Sequence, residues 1–330
     1  MDATKTRFIS RIAILLSTIL LGAVMLVCIP QGQALAVDTA DNGAAAATQA
    51  TEFTGTVEWG NTAEPAQAAD VPGQKASGVK TPYALLTKDG RIYPCNKYGK
   101  KLGKFWRVGT KVTYLYVAAN CTKVPQQIRY YYKSRFTVSN AISTPLKIVN
   151  FKTSRGKSSV KYLGASVFRN GSTLTTVKNF SKTRVVTIPN YAFYGTNIAS
   201  IAVPKTLTYI KPYAFGNCKK LKKVVGLHKT RVKAVGSYAF YSASRISAIS
   251  LPMACKQIGD YAFAGCTKLT KLYLPRKAKV AVGYNFIAQS GIDRGASGAA
   301  IYVPSSMYRT YYYDEGTEWP YYYQYLRKRG

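Results

Sequence analysis

Residues 258–275 read Ile-Gly-Asp-Tyr-Ala-Phe-Ala-Gly-Cys-Thr-Lys-Leu-Thr-Lys-Leu-Tyr-Leu-Pro, and this unit recurs along the second half of the chain. Each full copy contains the tripeptide Tyr-Ala-Phe, and imperfect copies end at Phe168 and Phe286. Full copies lie at 191–193, 213–215, 238–240 and 261–263. The six phenylalanines span 118 residues in five intervals, a mean of 23.6. A fixed period of this length predicts a solenoid, in which each turn buries its apolar face against its neighbours.

Apolar positions also repeat within the unit. The phenylalanine is followed by the pattern apolar-x-x-apolar-x-apolar-Pro, as in 246–252 and 269–275. The alternation predicts a short strand with one buried face, which proline ends because it cannot donate to the ladder. Stacked turns would form a parallel sheet with strands about 4.8 Å apart, and the phenylalanines would form an internal column. Another apolar position lies five residues before each phenylalanine: Leu163, Ile188, Ile210, Val235, Ile258 and Ala281.

These units resemble the BspA-type leucine-rich repeat of bacterial surface proteins. The segment 211–221, Lys-Pro-Tyr-Ala-Phe-Gly-Asn-Cys-Lys-Lys-Leu, matches the same pattern, and 301–311 followed by Trp319 is similar to the turn that closes many such arrays. The resemblance covers roughly residues 160–326. It implies an α/β, strand-rich leucine-rich-repeat solenoid of about six turns with short parallel strands, preceded by a small β-rich segment. It also implies adhesion or recognition at a surface, although such arrays share a scaffold and differ in what they bind.

Residues 1–36 are predicted to be a signal peptide. A basic start is followed by the uncharged apolar run 12–29 and by the small-residue cleavage site Ala-Leu-Ala at 34–36. An uncleaved anchor is the alternative, because the apolar run is long for a signal. The predicted parts after it are a flexible acidic linker (37–80), a basic tyrosine-rich β segment that is either a small domain or degenerate repeats (81–150), the leucine-rich repeats (151–298) and a C-terminal capping turn (299–330).

The charge distribution limits the classes of function. The chain has 47 Lys and Arg against 13 Asp and Glu, and residues 90–259 contain 31 basic residues and no acid. His228, the one histidine, has no carboxylate within thirty residues in sequence, and is interpreted as a surface residue. Asp260 and Asp293 are interpreted as turn residues and not as a pair of glycosidase acids. We therefore predict that the chain is not an enzyme and uses no cofactor and no metal.

Residues that alternate with the buried positions of the strands are predicted to face outward. Two adjacent outward columns follow from the register: Thr176, Ser200, Lys223, Ala248 and Lys271, and beside them Lys178, Ala202, Val225, Ser250 and Tyr273. Such a sheet is the extended binding face of many solenoids. The candidate binding residues are Lys178, Lys222, Lys223, Lys271 and Tyr273.

The net charge of +34 indicates a polyanionic partner. The expected partners are extracellular polyanions, glycans or host surface proteins, and the bacterial cell wall is a further possibility. The expected location is secreted or at the cell surface, with no transmembrane span once the signal is removed. Two alternatives stay open: an envelope hydrolase or transferase whose repeats target it to a wall polymer, and a purely structural wall component.

Five cysteines follow the predicted cleavage site. Cys218 and Cys266 each lie three residues after a phenylalanine, and Cys255 takes the place of an aliphatic core residue, so all three are predicted to be buried. Cys218 and Cys266 lie two turns apart, roughly 10 Å, which is too far for a disulfide. Cys95 and Cys121 lie in one segment and are either a disulfide pair or two free thiols.

Export is expected to remove residues 1–36 and to leave a mature chain that begins at Val37. The mature chain would carry a formal charge of +32, because three cations and one acid are lost with the signal. Intact-mass measurement of protein recovered from cells checks this prediction. A chain that still begins at Met1 would contradict the hypothesis of secretion.

Overall fold

The computed structural model describes residues 81–103, 112–126, 128–132, 135–139, 146–277, 279–312 and 318–330, with side chains for all of these except 128–132 and 135–139. The predicted signal peptide, 1–36, and the predicted linker, 37–80, lie outside the described residues.

The described residues form twenty short β-strands, one α-helix and several 3₁₀-helices. The strands are β1 (Tyr83–Leu86), β2 (Arg91–Pro94), β3 (Tyr114–Val117), β4 (Lys123–Val124), β5 (Ile128–Tyr132), β6 (Arg135–Ser139), β7 (Ile148–Phe151), β8 (Tyr162–Leu163), β9 (Thr176–Lys178), β10 (Thr187–Ile188), β11 (Ser200–Ala202), β12 (Tyr209–Ile210), β13 (Lys223–Val225), β14 (Ala234–Val235), β15 (Ala248–Ser250), β16 (Gln257–Ile258), β17 (Lys271–Tyr273), β18 (Ala281–Val282), β19 (Ala300–Pro304) and β20 (Leu326–Arg329). The α-helix is α1 (Tyr308–Tyr312), and the 3₁₀-helices are Phe180–Lys182, Leu227–Lys229, Ser305–Met307, Trp319–Tyr321 and Tyr323–Tyr325.

The repeats stack as two series of parallel strands. The first series contains the strand that ends each repeat: β9 pairs with β7, β11 pairs with β13, and β15, β17, β19 and β20 pair in that order. The second series contains the two-residue strands β10, β12, β14, β16 and β18, all parallel. One strand of each series per turn is the arrangement expected of a leucine-rich-repeat solenoid, and the predicted fold class is confirmed.

The segment before the repeats shares a sheet with them. β1, β3 and β7 pair in parallel with one another, and β7 pairs with β9 with Ile148 opposite Thr176. β2 adds to the other side of β1 in antiparallel orientation, and is followed by β5 and β6. The parallel series therefore continues without a break from β1 to β9.

The phenylalanines form the predicted internal column. From Phe168 to Phe263 neighbouring ring centroids are 5.3 to 5.4 Å apart and the interplanar angles are 4° to 24°. All of these rings are fully buried. Aromatic pairs in this geometry contribute about 0.5–1.5 kcal/mol beyond the burial of their surface. The column therefore joins each turn to the next along the core.

A second aromatic column runs beside the first at the edge of the core. The Tyr191, Tyr213, Tyr238 and Tyr261 rings stack at 4.7 to 5.0 Å and are half-buried. Each of these tyrosines has a positive φ, between 51° and 56°, which costs on the order of 1 kcal/mol per residue. Hydrogen bonds between turns offset this cost, as where the Phe193 N–H donates to the Ala214 carbonyl at 2.9 Å.

One predicted core residue is wrong. Ala281 was expected to occupy the buried position of its turn, but it is exposed, and Val282 is buried in register with Ile258. The reason is a one-residue deletion between Gly283 and Tyr284 relative to the preceding turn. Val282 therefore lies four residues before its phenylalanine, whereas the other turns have five.

The last turn is closed by aromatic residues from the C-terminal segment. The Trp319 and Tyr322 rings pack against Phe286 with centroids 5.8 and 4.7 Å away. Trp319 Nε1 donates to the Val280 carbonyl at 2.7 Å, and the Tyr311 hydroxyl accepts from the Val280 N–H at 2.9 Å. The end of the core is thus covered, and both backbone polar groups of Val280 are hydrogen-bonded.

Replacing Phe240 with alanine is expected to destabilise the protein by about 3–5 kcal/mol, because Phe240 stacks on both neighbouring turns. Lys271→Ala, which removes an exposed side chain, is expected to change stability by less than about 0.5 kcal/mol. Thermal or urea unfolding of the two variants measures the difference. Equal losses would show that the register of the column is wrong.

Candidate functional site

The two predicted outward columns lie on the outward side of the first strand series. We call its residues on β9, β11, β13, β15 and β17 the outer sheet face. Ser200 lies beside Lys223, and Ala248 lies beside Lys271, in the first predicted column. The second column is formed in the same way, with Ser250 beside Tyr273. The paired strands therefore have the predicted register.

The candidate binding residues form a stripe and not one compact cluster. Lys178, Lys222, Lys223 and Lys271 are exposed, and Tyr273 is half-buried. Lys271 and Tyr273 share β17, and Lys222 directly precedes Lys223 at the start of β13. Lys178 ends β9, four strands from β17, which is about 20 Å at the usual strand spacing. Their role in binding remains a prediction.

Within the described residues, the acidic side chains near the repeats are engaged elsewhere than on this face. Asp260 accepts the Tyr284 N–H at 2.9 Å, and Asp293 accepts the Gln289 N–H at 2.8 Å, so both carboxylates hold turns. Asp89 pairs with Arg91 at 3.7 Å, before the repeats. None of the ten outward positions of the face is Asp or Glu. The face consequently has a positive potential.

Sequence reasoning missed a tyrosine next to the face. Tyr302 on β19 lies beside Tyr273, and the two rings stack with centroids 4.7 Å apart. The sequence 301–304, Ile-Tyr-Val-Pro, repeats the alternation of 272–275, Leu-Tyr-Leu-Pro. Aligning these two segments would have placed Tyr302 on the same surface.

Before β9, the same side of the sheet is covered by the protein's own chain. Tyr116 lies on the outward side of β3, yet it is buried, because the segment 96–101 lies across it. Its hydroxyl donates to the Lys97 carbonyl, and the Lys152 ammonium donates to the Tyr98 carbonyl at 3.1 Å. Next to them, the Tyr114 hydroxyl accepts from the Asn150 amide at 3.0 Å. The accessible part of this surface therefore lies toward the C-terminal turns.

The five cysteines of the described chain are free and buried. Cys95 and Cys121 are not a disulfide pair, because they lie on opposite sides of the sheet. Cys121 is in the hydrophobic core, where its Sγ is 3.3 Å from the Leu86 carbonyl, whereas the Cys95 thiol interacts with Lys152. The predicted burial of the other three is confirmed. Burial raises the pKa of Cys95 and Cys266 to about 12, and of Cys121, Cys218 and Cys255 to about 11.

His228 is exposed in the 3₁₀-helix Leu227–Lys229, as the sequence predicted. In the part of the chain that the structure describes, no three His, Cys, Asp or Glu side chains are grouped so that they could hold a metal ion. Among the same residues, no helix has the length and apolar character needed to cross a membrane.

Comparison with protein families decides the identity of the repeats. A family described as BspA type Leucine rich repeat region matches residues 119–221 and 186–294, with six copies. The chain belongs to the BspA-type leucine-rich-repeat family. The match starts at residue 119, inside the segment 81–150, where β3 and β7 already pair with the repeat strands. No curated protein matches the sequence.

Solved structures of leucine-rich-repeat proteins from three bacteria are similar to this chain. A leucine rich cell surface protein from Faecalibacterium prausnitzii is 18% identical with a TM-score of 0.39, over 68% of this chain and 48% of that one. The chain thus spans about half the length of that protein. A leucine-rich repeat protein from Bacteroides ovatus is 15% identical with a TM-score of 0.28, over 78% and 97%. The T. pallidum Leucine Rich Repeat protein is 18% identical with a TM-score of 0.29, over 73% and 94%.

The buried thiols are expected to resist alkylation. At pH 8 their raised pKa values keep them protonated, and the thiolate is the reactive form. A mature chain starting at Val37 should gain no adduct from iodoacetamide when folded and five adducts in urea, measured by intact mass. A disulfide between Cys95 and Cys121 would instead give three adducts in urea without reductant.

Proposed function

We propose that this chain is an exported, non-catalytic leucine-rich-repeat protein that recognises polyanionic or glycan components of cell surfaces. The observation that carries the proposal is the outer sheet face, on which exposed lysines occur at three separate turns and no outward position is acidic. Wall polymers, acidic glycans, extracellular nucleic acid and acidic host surface proteins all have the chemistry that such a face would bind. The signal peptide predicted at 1–36 supports a location outside the cytoplasm.

The spacing of the lysines suits a polymer better than a small anion. Lys223 lies two turns after Lys178, and Lys271 lies two turns after Lys223. The strands of neighbouring lysines are therefore roughly 10 Å apart. Exposed charges are screened beyond about 8 Å in physiological salt, so one bound anion interacts with a single lysine of the stripe. A chain with repeated negative charges contacts all three at once.

The middle of the face would let such a polymer lie close to the sheet. The outward residues between the lysines are small or neutral, and include Ala202, Ala248 and Ser250. Val225 is also outward and is 49% exposed, which gives the polymer an apolar contact. A surface of small residues with separated cations favours contact with a polymer backbone that carries repeated charges. Such binding has little sequence preference.

Binding to heparin, polygalacturonate and duplex DNA is expected to weaken steeply between 0.15 and 0.5 M salt, because each ionic contact releases counterions. The variant Lys222→Ser, Lys223→Ser and Lys271→Ser is expected to lower the log–log salt slope on DNA by about 2.7, because each lysine–phosphate pair adds ~0.9 to that slope. The matched control is Lys229→Ser, Lys233→Ser and Lys256→Ser, which removes the same charge from exposed positions outside the face. Titration by fluorescence anisotropy at several salt concentrations measures both.

The control variant shows whether polyanion binding depends on the lysines of the outer sheet face. Equal weakening by the two triple variants would show that net charge attracts polyanions wherever it lies. Binding that does not depend on salt would contradict a polyanionic partner. Turnover of a wall polymer by the mature chain would favour an envelope hydrolase or transferase.

A further inference from the structure

The C-terminal continuation of the outer sheet face differs from its lysine stripe. On three adjacent strands, Tyr273, Tyr302 and Arg327 lie side by side in register. The two tyrosine rings stack on each other, and Arg327 is exposed beside Tyr302. Arg327 Nη1 donates to the carbonyls of Gln324 and Leu326 at 3.0 and 2.8 Å, which fixes the direction of its guanidinium. We call this region the tyrosine–arginine end.

A shallow, open pocket adjoins Tyr302 at this end. Its volume is about 630 Å³, within the range of about 300–1,000 Å³ usual for small-ligand sites. One side is the loop 295–300, and the other side is formed by Tyr302, Gln324, Tyr325 and Arg327. The loop contains Gly295 and Gly298 with φ of 66° and 69°, so its backbone is exposed to a ligand without intervening side chains.

The pocket offers hydrogen-bonding groups of the kind that bind hydroxyls. Among the described residues, the N–H groups of Ser297 and Gly298 have no hydrogen-bond partner. The Tyr325 hydroxyl donates to the Asp293 carbonyl at 3.1 Å and keeps its acceptor lone pairs. The Gln324 side chain is exposed on the same rim and can both donate and accept. A ligand with several hydroxyls would be held by these groups, whereas an apolar ligand would not use them.

A second arginine extends the positive charge toward Tyr273. The Arg329 guanidinium lies 5.6 Å from the Tyr273 ring centroid and donates to the Leu274 carbonyl. Its Nε is buried and has no hydrogen-bond partner among the described residues. Burial and the neighbouring Arg276 both lower its pKa. The Arg276 and Arg329 guanidiniums thus lie near each other beside Tyr273, and an anionic group bound next to them would offset their mutual repulsion.

We propose that the tyrosine–arginine end binds an acidic oligosaccharide, with a sugar ring in the pocket against Tyr302 and its carboxylate on the guanidiniums of Arg327 and Arg329. The inference rests on the proposed function and assigns a glycan as its ligand class. Aromatic contact, hydroxyl-binding groups and arginines together suit a ligand that is partly apolar, rich in hydroxyls and negatively charged. A uronic acid has all three properties.

A nucleic acid fits these groups less well. Its phosphates would be bound by the exposed lysines of the whole face, without preference for this end. Successive bases of a strand stack on several separate aromatic faces, whereas Tyr273 and Tyr302 are stacked on each other. DNA binding is therefore an outcome of the test and not the proposal.

The proposal is tested with three ligands: a tetrasaccharide of galacturonic acid, its neutral galactose counterpart and a short duplex DNA. The mature chain and the variants Arg327→Gln, Tyr302→Leu and Lys328→Gln would be titrated by calorimetry in 0.15 M salt. Lys328→Gln is the matched control, because it removes one charge from the next residue of β20, which lies in register with buried Val303. Thermal unfolding of each variant confirms that it is folded.

Arg327→Gln and Tyr302→Leu are each expected to weaken the acidic tetrasaccharide about tenfold, and Lys328→Gln less than about twofold. The neutral tetrasaccharide should bind weakly and be unaffected by Arg327→Gln. Two results would overturn the glycan site but leave the proposed polyanion-binding face intact. One is that Arg327→Gln and Lys328→Gln weaken the acidic tetrasaccharide equally. The other is that Arg327→Gln and Tyr302→Leu lower the affinity for DNA as much as the affinity for the acidic tetrasaccharide. If the unaltered chain binds no polyanion of any kind, the proposed function itself fails.

Discussion

The contact of each phenylalanine ring with the next, repeated at 5.3 to 5.4 Å from Phe168 to Phe263, fixes the spacing of the turns. A single turn has too little apolar surface for a core of its own, because it contributes one ring and a few aliphatic side chains whose apolar neighbours belong to adjacent turns. The tyrosine column and the rows of strands follow the same spacing. The distances between the lysines of the outer sheet face are therefore set by the core and not by the surface.

The surface built on this core changes along its length. At one end the segment 96–101 crosses the sheet and buries Tyr116, so this part of the surface is not accessible to a partner. In the middle, lysines alternate with small residues, which favours electrostatic attraction of a polyanion at close range without shape recognition. At the tyrosine–arginine end, rings, backbone amides and guanidiniums meet beside a pocket. Under the proposed function, general attraction and specific recognition would thus be carried by different turns of one array.

The repeat of Tyr-Ala-Phe was sufficient to predict the solenoid, the buried column and the outward register of β11, β13, β15 and β17. The prediction of buried positions from this repeat fails where the period changes. One deleted residue moved the buried position from Ala281 to Val282. Before the repeats, the paired residues Ala84, Leu115, Val149 and Val177 are 31, 34 and 28 residues apart, so no fixed period indicates that they share a sheet. Whether Cys95 and Cys121 can form a disulfide depends on the side of that sheet on which each thiol lies. Sequence spacing alone does not give that side.

The composition of β20 has a consequence for the association of whole molecules. β20 is the last strand of its sheet within the described residues, and three of its four residues, Arg327, Lys328 and Arg329, are cations. An unprotected terminal strand would serve as a template on which the same strand of a second copy could pair. When two copies approach through this strand, six positive charges meet. Like-charge repulsion therefore opposes the pairing of two copies through this edge.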